Sequence, residues 1–214
     1  MSPTLLEPAP VQSARNVPPA PQSIDSLSLY LWTPAQYRRM AELGVLTQED
    51  KVELLEGVIV RKMTHNAPHD GTLQVVSRRL QSLIAGKWEI RSQSSMITVD
   101  SESEPDLAVV PGPEDRYGEE HPHASEVLFV IEIANTSLKI DRRKAVIYAR
   151  GGIPVYWIVN VQDRQLEVFS QPDPVNSVYL RQDVLRENQF VNVTIENHDL
   201  GQVEVRHFLL PVRH

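Results

Sequence analysis

Two acidic residues lie in neighbouring apolar runs of this sequence. Asp106 opens the run of residues 106–110 (DLAVV), and Glu132 lies late in the run of residues 126–134 (EVLFVIEIA). Short apolar, β-branched runs are typical of strands covered on both faces. If these strands pair antiparallel with Val110 opposite Leu128, Asp106 falls opposite Glu132 on the same face. Like charges about 5 Å apart are destabilising unless a cation intervenes, so the pair predicts a site for a hard divalent cation such as Mg²⁺ or Mn²⁺.

Each acid also has a structural interpretation. Asp106 follows Pro105, and by itself it is typical of a turn residue at the start of a strand. Glu132 is harder to explain in this way, because a carboxylate within so apolar a run is rarely buried without a partner. The two acids together, in this register, favour the metal site.

A helix predicted over residues 140–150 directly follows the strand that carries Glu132. On that helix Asp141, Lys144 and Tyr148 share one face, and its first turn can lean back over the end of the strand. The Lys144 ammonium would then stabilise charge on a phosphoryl oxygen, with Asp141 orienting it. The alternative is a basic run on a solvated face, since two arginines precede Lys144.

The net charge of −7 is concentrated in one segment. Residues 101–126 contain eight of the 28 acidic residues and one of the 21 basic ones, so the rest of the chain has 20 acidic and 20 basic residues and no net charge. The eight acids are Glu102, Glu104, Asp106, Glu114, Asp115, Glu119, Glu120 and Glu126. Such a cluster is most often a solvated loop and less often the entrance of a cation-binding site. The overall charge therefore does not argue against a nucleic-acid partner.

The hydrophobic pattern predicts one α/β domain over residues 26–214. Residues 1–25 contain six prolines and are expected to be extended or disordered. Helices are predicted over 35–43, after a Thr33-Pro34 cap, and over 69–85 and 140–150. Strands are predicted over 53–62 with a turn at Glu56-Gly57, 88–99, 106–110, 126–134, 154–161, 164–169, 177–182, 190–195 and 202–208. This order favours a mixed β-sheet flanked by helices, with extra C-terminal strands.

Several function classes are excluded by what the sequence lacks. Cys is 0, which removes disulfide scaffolds, thiolate catalysis and cysteine-ligated metal sites. No apolar run approaches the roughly 20 residues of a membrane span, and no secretory signal pattern is seen at the N-terminus, so we expect a cytoplasmic protein. Neither a G-x-G-x-x-G motif nor a P-loop occurs, so we expect no nucleotide cofactor.

The order of these segments resembles the PD-(D/E)xK nuclease superfamily. Within it, the chain is similar to the lone-domain bacterial restriction endonuclease family, a branch first catalogued as a domain of unknown function. The resemblance runs from about residue 31 to residue 161. It is carried by Thr33-Pro34, residues 43–46 (LGVL), 52–57 (VELLEG), His69 with Leu73 and Leu80, Ser92-Gln93, residues 105–110 (PDLAVV), 132–137 (EIANTS), Asp141, Lys144, Tyr148-Ala149 and residues 152–159 (GIPVYWIV).

This resemblance implies a restriction-endonuclease-like fold, a Mg²⁺-dependent phosphodiesterase site with Mn²⁺ as an alternative, and a homodimer. Asp106 and Glu132 match the metal carboxylates, with the Ile133 carbonyl as a further ligand. The superfamily lysine normally lies two residues after the glutamate, where this chain has Ala134, and this branch supplies the charge from a position that matches Lys144.

The supporting residues implied by the resemblance are less specific. Glu53 matches an upstream acidic position that could steer a second metal, although a surface residue on an early strand is the equal alternative. His69 opens a helix and could face a phosphate, although a packing histidine is as common. The basic residues Arg142 and Arg143, with Arg78 and Arg79 as further candidates, would meet a nucleic-acid backbone.

We therefore expect a metal-dependent nuclease that hydrolyses phosphodiester bonds, most plausibly a DNA endonuclease with Asp106, Glu132 and Lys144 as its catalytic residues. A second hypothesis is a catalytically inactive module that keeps the fold and binds nucleic acid or a protein partner. A third is a metal-dependent hydrolase of another phosphoester. The resemblance alone supports a restriction role, because no base-reading module is visible in the sequence.

Overall fold

The structure is a computed structural model that describes residues 28–84 and 86–211. The Pro-rich lead-in expected over residues 1–25 lies outside these residues, and the folded unit begins at Leu31. The first helix, α1 (Pro34–Glu42), starts as the Thr33-Pro34 pair predicts. The Gln36 amide donates to Thr33 Oγ1 at 3.2 Å, and the Thr33 amide donates to Gln36 Oε1 at 2.9 Å. This reciprocal capping box satisfies two amides that the helix itself leaves unbonded.

The other elements follow in a strand-rich order. The remaining helices are α2 (Ala67–Leu83) and α3 (Leu138–Arg150). The strands are β1 (Val52–Leu55), β2 (Val58–Arg61), β3 (Trp88–Ser92), β4 (Met96–Ile97), β5 (Glu102–Ser103), β6 (Leu107–Pro111), β7 (Phe129–Ala134), β8 (Val155–Asn160), β9 (Gln165–Asp173), β10 (Val178–Arg186), β11 (Phe190–Ile195) and β12 (His198–Glu204).

Six strands form the central sheet in the order β10-β9-β8-β7-β6-β3. The neighbours β7 and β8 run parallel because α3 connects them, and the other four pairs are antiparallel. The predicted fold class is confirmed, because the sheet is mixed, helices flank it and further strands follow at the C-terminal end.

Side chains of the sheet alternate between two apolar cores on its opposite faces. Leu107 and Ile131 pack with α2 and with the β11–β12 hairpin, whereas Ala108 and Val130 pack with α3. All six positions of β7 are buried. Each fully buried Val, Leu or Ile side chain stabilises the fold by roughly 1.5–3 kcal/mol. This packing can offset the cost of a single buried acid on β7.

A second sheet, in the order β2-β1-β5-β4, corrects the interpretation of the acidic segment. A solvated loop is the more common interpretation of such a cluster and the entrance of a cation-binding site the less common one. Glu102 is buried because β5 pairs with β1 through Leu54 opposite Glu102, and Asp106 is buried as its predicted place at the start of a strand requires. Glu114 and Glu120 are exposed as expected. The pairing of β1 with β5 brings the neighbour of Leu54, which is Glu53, to the functional site.

The last predicted strand, over residues 202–208, is correct only in its first half. β12 ends at Glu204, and Val205–Phe208 forms a 3₁₀ turn. Val205 and Phe208 are 1% and 0% exposed. A spacing of three residues places both side chains on one side of a 3₁₀ turn, whereas a strand would direct them to opposite faces.

Candidate functional site

The two predicted carboxylates meet where β6 begins beside β7. Leu107 pairs with Ile131 and Ala108 with Val130, which is the predicted register and places Asp106 opposite Glu132. The Asp106 amide donates to Glu132 Oε2 at 3.2 Å, and the Ile133 amide donates to Asp106 Oδ2 at 2.8 Å. Both acids are buried, 6% and 4% exposed. The strand pairing therefore fixes both acids at one point of the sheet.

Lys144 reaches these acids from α3. Its Nζ donates to Glu132 Oε1 at 3.0 Å and lies 3.5 Å from Glu53 Oε2, and the side chain is buried. Ala134, two residues after Glu132, is buried among apolar side chains of the α3 face. The ammonium that reaches Glu132 therefore comes from the helix packed over the strand, and position 134 carries no charge.

Tyr148 is a site residue to which the sequence analysis gave no role. Its hydroxyl donates to Glu132 Oε1 at 2.8 Å, so that one carboxylate oxygen accepts from both Tyr148 and Lys144. The two residues are four apart on α3 and therefore lie on the same face. That spacing was the available signal, but a buried tyrosine is more often a core residue.

Two histidines approach Asp106 from the start of α2. His69 Nε2 lies 3.0 Å from Asp106 Oδ2, and His69 Nδ1 lies 3.2 Å from Asp70 Oδ1. The His65 ring stacks on the His69 ring with centroids 4.1 Å apart. Within the described residues, His65, His69 and Asp106 form the one group of three whose ligand atoms all lie within 4.8 Å of one another. The sequence analysis missed His65, which lies just before α2 and reaches this group through its contact with the His69 ring.

The two supporting acids, Glu53 and Asp141, both act on Lys144 through their charge. The Glu53 carboxylate accepts a hydrogen bond from the Glu104 amide at 3.3 Å. The Asp141 carboxylate accepts one from Ser137 Oγ at 2.6 Å, and it influences Lys144 through its charge. Asp141 therefore anchors the first turn of α3, rather than holding the ammonium by a direct bond.

Burial and mutual repulsion set the ionisation of this cluster. Burial raises the pKa of Glu132 to about 8; the Lys144 charge opposes the rise, and the other three acids add to it. Burial also raises the pKa of Asp141 to about 6, against the hydrogen bond from Ser137. Burial would lower the pKa of Lys144, but the surrounding acids, Glu132 foremost, raise it well above its ordinary value.

His69 responds to the same excess of acid. Burial opposes its protonation, but its contacts with Asp106 and Asp70 raise its pKa above the ordinary value. Four buried acids thus surround a single buried ammonium, and the nearest imidazole is drawn toward its charged form. Carboxylate oxygens suit Mg²⁺ and Mn²⁺, and imidazole suits transition ions, so this donor set fits a divalent cation.

The sequence matches the model of a known family. The sequence model of the Uma2 family, described as "Putative restriction endonuclease", matches residues 34–200, which is most of the chain. The chain belongs to the Uma2 family. No curated protein matches the chain.

A solved structure supports the fold of this Uma2 protein independently. It comes from Anabaena variabilis ATCC 29413 and is described as a "putative nuclease belonging to DUF820". The likeness has a TM-score of 0.56 at 15% sequence identity, and it covers 78% of this chain and 94% of that chain. At this identity the likeness establishes the nuclease-like fold alone.

The two arginines expected to meet a nucleic-acid backbone are engaged in ion pairs in this Uma2 chain. Arg142 donates twice to Glu167, at 2.6 and 3.0 Å, and the Glu167 side chain is 0% exposed. Arg143 pairs with Glu56 at 3.1 Å, and Arg150 binds the same carboxylate. Arg142 therefore uses two of its five N–H donors to satisfy a buried acid, and its half-exposed guanidinium is held in place by that pair. The role of both arginines in binding stays a prediction.

No helix of the described residues is both long and apolar enough to cross a membrane.

Proposed function

We propose that this protein is a divalent-metal-dependent nuclease that hydrolyses phosphodiester bonds in DNA. The observation that carries the proposal is the convergence of Asp106, Glu132 and Lys144 at one buried point, from three different elements. Membership in the Uma2 family supports a nuclease. The excess of buried acid supports a cation in the site, because unpaired buried carboxylates are costly.

Asp106 and Glu132 would hold the ion, and His69 and His65 are the imidazoles that could join Asp106 as ligands. A divalent cation supplies Lewis acidity toward a phosphoryl oxygen and lowers the pKa of a neighbouring water. Lys144 would bring its ammonium to the charge that develops on the phosphoryl group, in a site from which the packed sheet and helix exclude bulk water. Tyr148 would keep the Glu132 carboxylate in one orientation through its hydrogen bond.

Cleavage of a supercoiled plasmid tests this proposal. We expect nicking with Mg²⁺ or Mn²⁺ and none with EDTA. Asp106→Ala and Glu132→Ala should abolish nicking, and Lys144→Ala should slow it by roughly 10²–10³-fold, the usual effect of removing one group that stabilises transition-state charge. Glu114→Ala removes an exposed acid of the same segment and should retain full activity. Unchanged cleavage by the Asp106 or Glu132 variant would refute the assignment.

Metal binding can be followed without any turnover. A ligand present at 100 times its dissociation constant stabilises the folded state by about 2.7 kcal/mol. We therefore expect Mn²⁺ to raise the melting temperature of the wild-type protein and to leave that of Asp106→Ala unchanged. An equal rise in both proteins would place the ion elsewhere.

A second function, binding without cleavage, is favoured by one observation. Lys144 is held between two carboxylates, and Ala134 occupies the usual position of the lysine. If the ammonium stays in that ion pair when nucleic acid is bound, the protein would bind without cutting. A gel-shift assay in Mn²⁺ that shows a stable complex and an intact strand would establish this alternative. The homodimer expected from the family resemblance stays a prediction, which static light scattering can check.

A further inference from the structure

The α2 helix carries two arginines that are free to bind an anion. Among the residues that the structure describes, neither Arg78 nor Arg79 makes an ion pair or a hydrogen bond through its side chain, whereas Arg142 and Arg143 are both engaged. Arg78 is exposed and Arg79 is half-buried. A free guanidinium can bind a phosphate without first breaking an internal ion pair.

Arg78 belongs to a polar stripe along one side of α2. Gln74, Ser77, Arg78 and Gln81 recur at i, i+3, i+4 and i+7, which places them on one face of the helix. These four residues, with Leu73 and Ser92, line a shallow cleft of about 320 Å³. The nine residues from Leu73 to Gln81 extend about 12 Å along the helix axis. Arg79 is not part of this lining.

One end of the cleft lies against the candidate catalytic site. Leu73 is one helical turn beyond His69, whose ring contacts Asp106. On the opposite wall Ser92 Oγ donates to the Asp106 carbonyl at 3.4 Å, and the next residue, Gln93, donates its amide to the same carbonyl at 3.1 Å. One end of the cleft therefore lies next to the main chain of Asp106, and His69 is the residue of α2 that links this end to the Asp106 carboxylate.

The cleft also differs in charge from the rest of this acidic protein. Residues 71–88 contain no Asp or Glu, and they contain Arg78, Arg79 and Lys87. The single acid of α2, Asp70, is directed toward His69 at the start of the helix. An anionic chain in this cleft would meet one cation and several neutral hydrogen-bond donors, with no carboxylate from α2 facing it.

We propose that the sugar–phosphate backbone of the substrate strand lies in this cleft, with Arg78 as its phosphate contact and Gln74 and Gln81 as further donors. This inference rests on the proposed nuclease function and adds the path of the substrate. It assigns the backbone contact to α2, whereas the sequence analysis favoured the two arginines of α3.

Salt-dependent DNA binding tests the cleft. The full chain is titrated with a short DNA duplex at several salt concentrations, in Ca²⁺ and without Mg²⁺ or Mn²⁺. Each phosphate contact to a duplex contributes about 0.9 to the slope of log affinity against log salt. Arg78→Gln should weaken binding and reduce this slope by about 0.9. Arg79→Gln is the matched control, since it makes the same charge change one residue away and should leave the slope nearly unchanged.

The outcomes separate the cleft from the nuclease proposal. The cleft is not the path of the strand if Arg78→Gln and Arg79→Gln reduce the salt slope of DNA binding equally, or if only Arg142→Gln reduces it. In either case plasmid cleavage still decides the nuclease proposal. Wild-type protein that neither binds duplex nor cleaves plasmid overturns both. The Arg78 variant should have the same melting temperature as the wild type, because the side chain is exposed and unpaired among the described residues. A lower melting temperature would mean that Arg78 supports the fold, and it would overturn the role in DNA binding given to Arg78.

Discussion

Replacing Lys144 by Met removes the single buried ammonium of the acid cluster. The substitution keeps an unbranched side chain of similar length, but it takes away the 3.0 Å hydrogen bond to Glu132 and the ion pair to Glu53 at 3.5 Å. Removing one partner of a buried ion pair typically costs about 3–5 kcal/mol, because the other charge is left uncompensated. We expect a loss of this size in the free energy of unfolding under metal-free conditions at high pH.

The loss of unfolding free energy in Lys144→Met should increase as pH rises. The folded-state pKa of Glu132 is raised by burial to about 8, so between its ordinary value of 4.5 and 8 the folded protein binds a proton that the unfolded chain has released, and stability falls as pH rises. The Lys144 charge lowers this pKa, and its removal raises it further. Above pH 8 the wild-type stability stops falling, whereas that of Lys144→Met continues to fall by up to about 1.4 kcal/mol per pH unit.

Urea unfolding in EDTA at pH 6, 8 and 9.5 measures this difference. Lys62→Met is the matched control, because Lys62 pairs with Glu104 at a position where both side chains are partly exposed, and such pairs contribute about 1 kcal/mol or less. The electrostatic account of the site is refuted if the loss in Lys144→Met does not change with pH, or if it is as small as the loss in Lys62→Met.

Three further changes follow from the same contacts. Tyr148→Phe removes the hydroxyl bonded to Glu132 and should destabilise the protein by about 1.5–3 kcal/mol in thermal or urea unfolding, the range for hydrogen bonds to charged groups. Arg142→Gln leaves the fully buried Glu167 unpaired and should lower the free energy of unfolding by roughly 3 kcal/mol. Arg143→Gln should lower it by under about 1 kcal/mol, because Arg150 still binds Glu56. The pKa of His69 is raised in the folded state, so protonated His69 stabilises the fold below pH 6.5, and this stabilisation is lost as pH rises through the folded-state pKa. The difference in free energy of unfolding between wild type and His69→Gln in EDTA should therefore shrink from pH 5.5 to pH 9.

The acid pair could be predicted from the sequence because its geometry is local to two strands. Once residues 106–110 and 126–134 are recognised as neighbouring antiparallel strands, the register has few alternatives, and the observed pairing of Leu107 with Ile131 is the predicted one. Lys144 follows for a similar reason, since a helix that connects two parallel strands must pack back onto the strand that precedes it.

The partners of several charged and polar residues could not be predicted, because these partners come from distant parts of the chain. Arg143 lies 87 residues from Glu56, and no local pattern indicates that the two meet. The burial of Glu102 could not be predicted, since the two-residue strand β5 is too short to produce an alternating pattern. His65 lies before α2, where helical periodicity does not apply, and only its contact with the His69 ring reveals its place.

The origin of the ammonium links the integrity of the fold to the chemistry of the site. A lysine two residues after Glu132 on β7 would be placed by the strand itself, but here Ala134 belongs to the apolar cluster that also contains Ala145 and Tyr148 of α3. The small side chain lets the helix approach the strand, and that approach carries Lys144 and Tyr148 to the Glu132 carboxylate. A larger residue at 134 would push α3 outward and lengthen both hydrogen bonds, because a close-packed interior transmits a change of even one methylene. Ala134 would then act on the Glu132 carboxylate only through the position of α3.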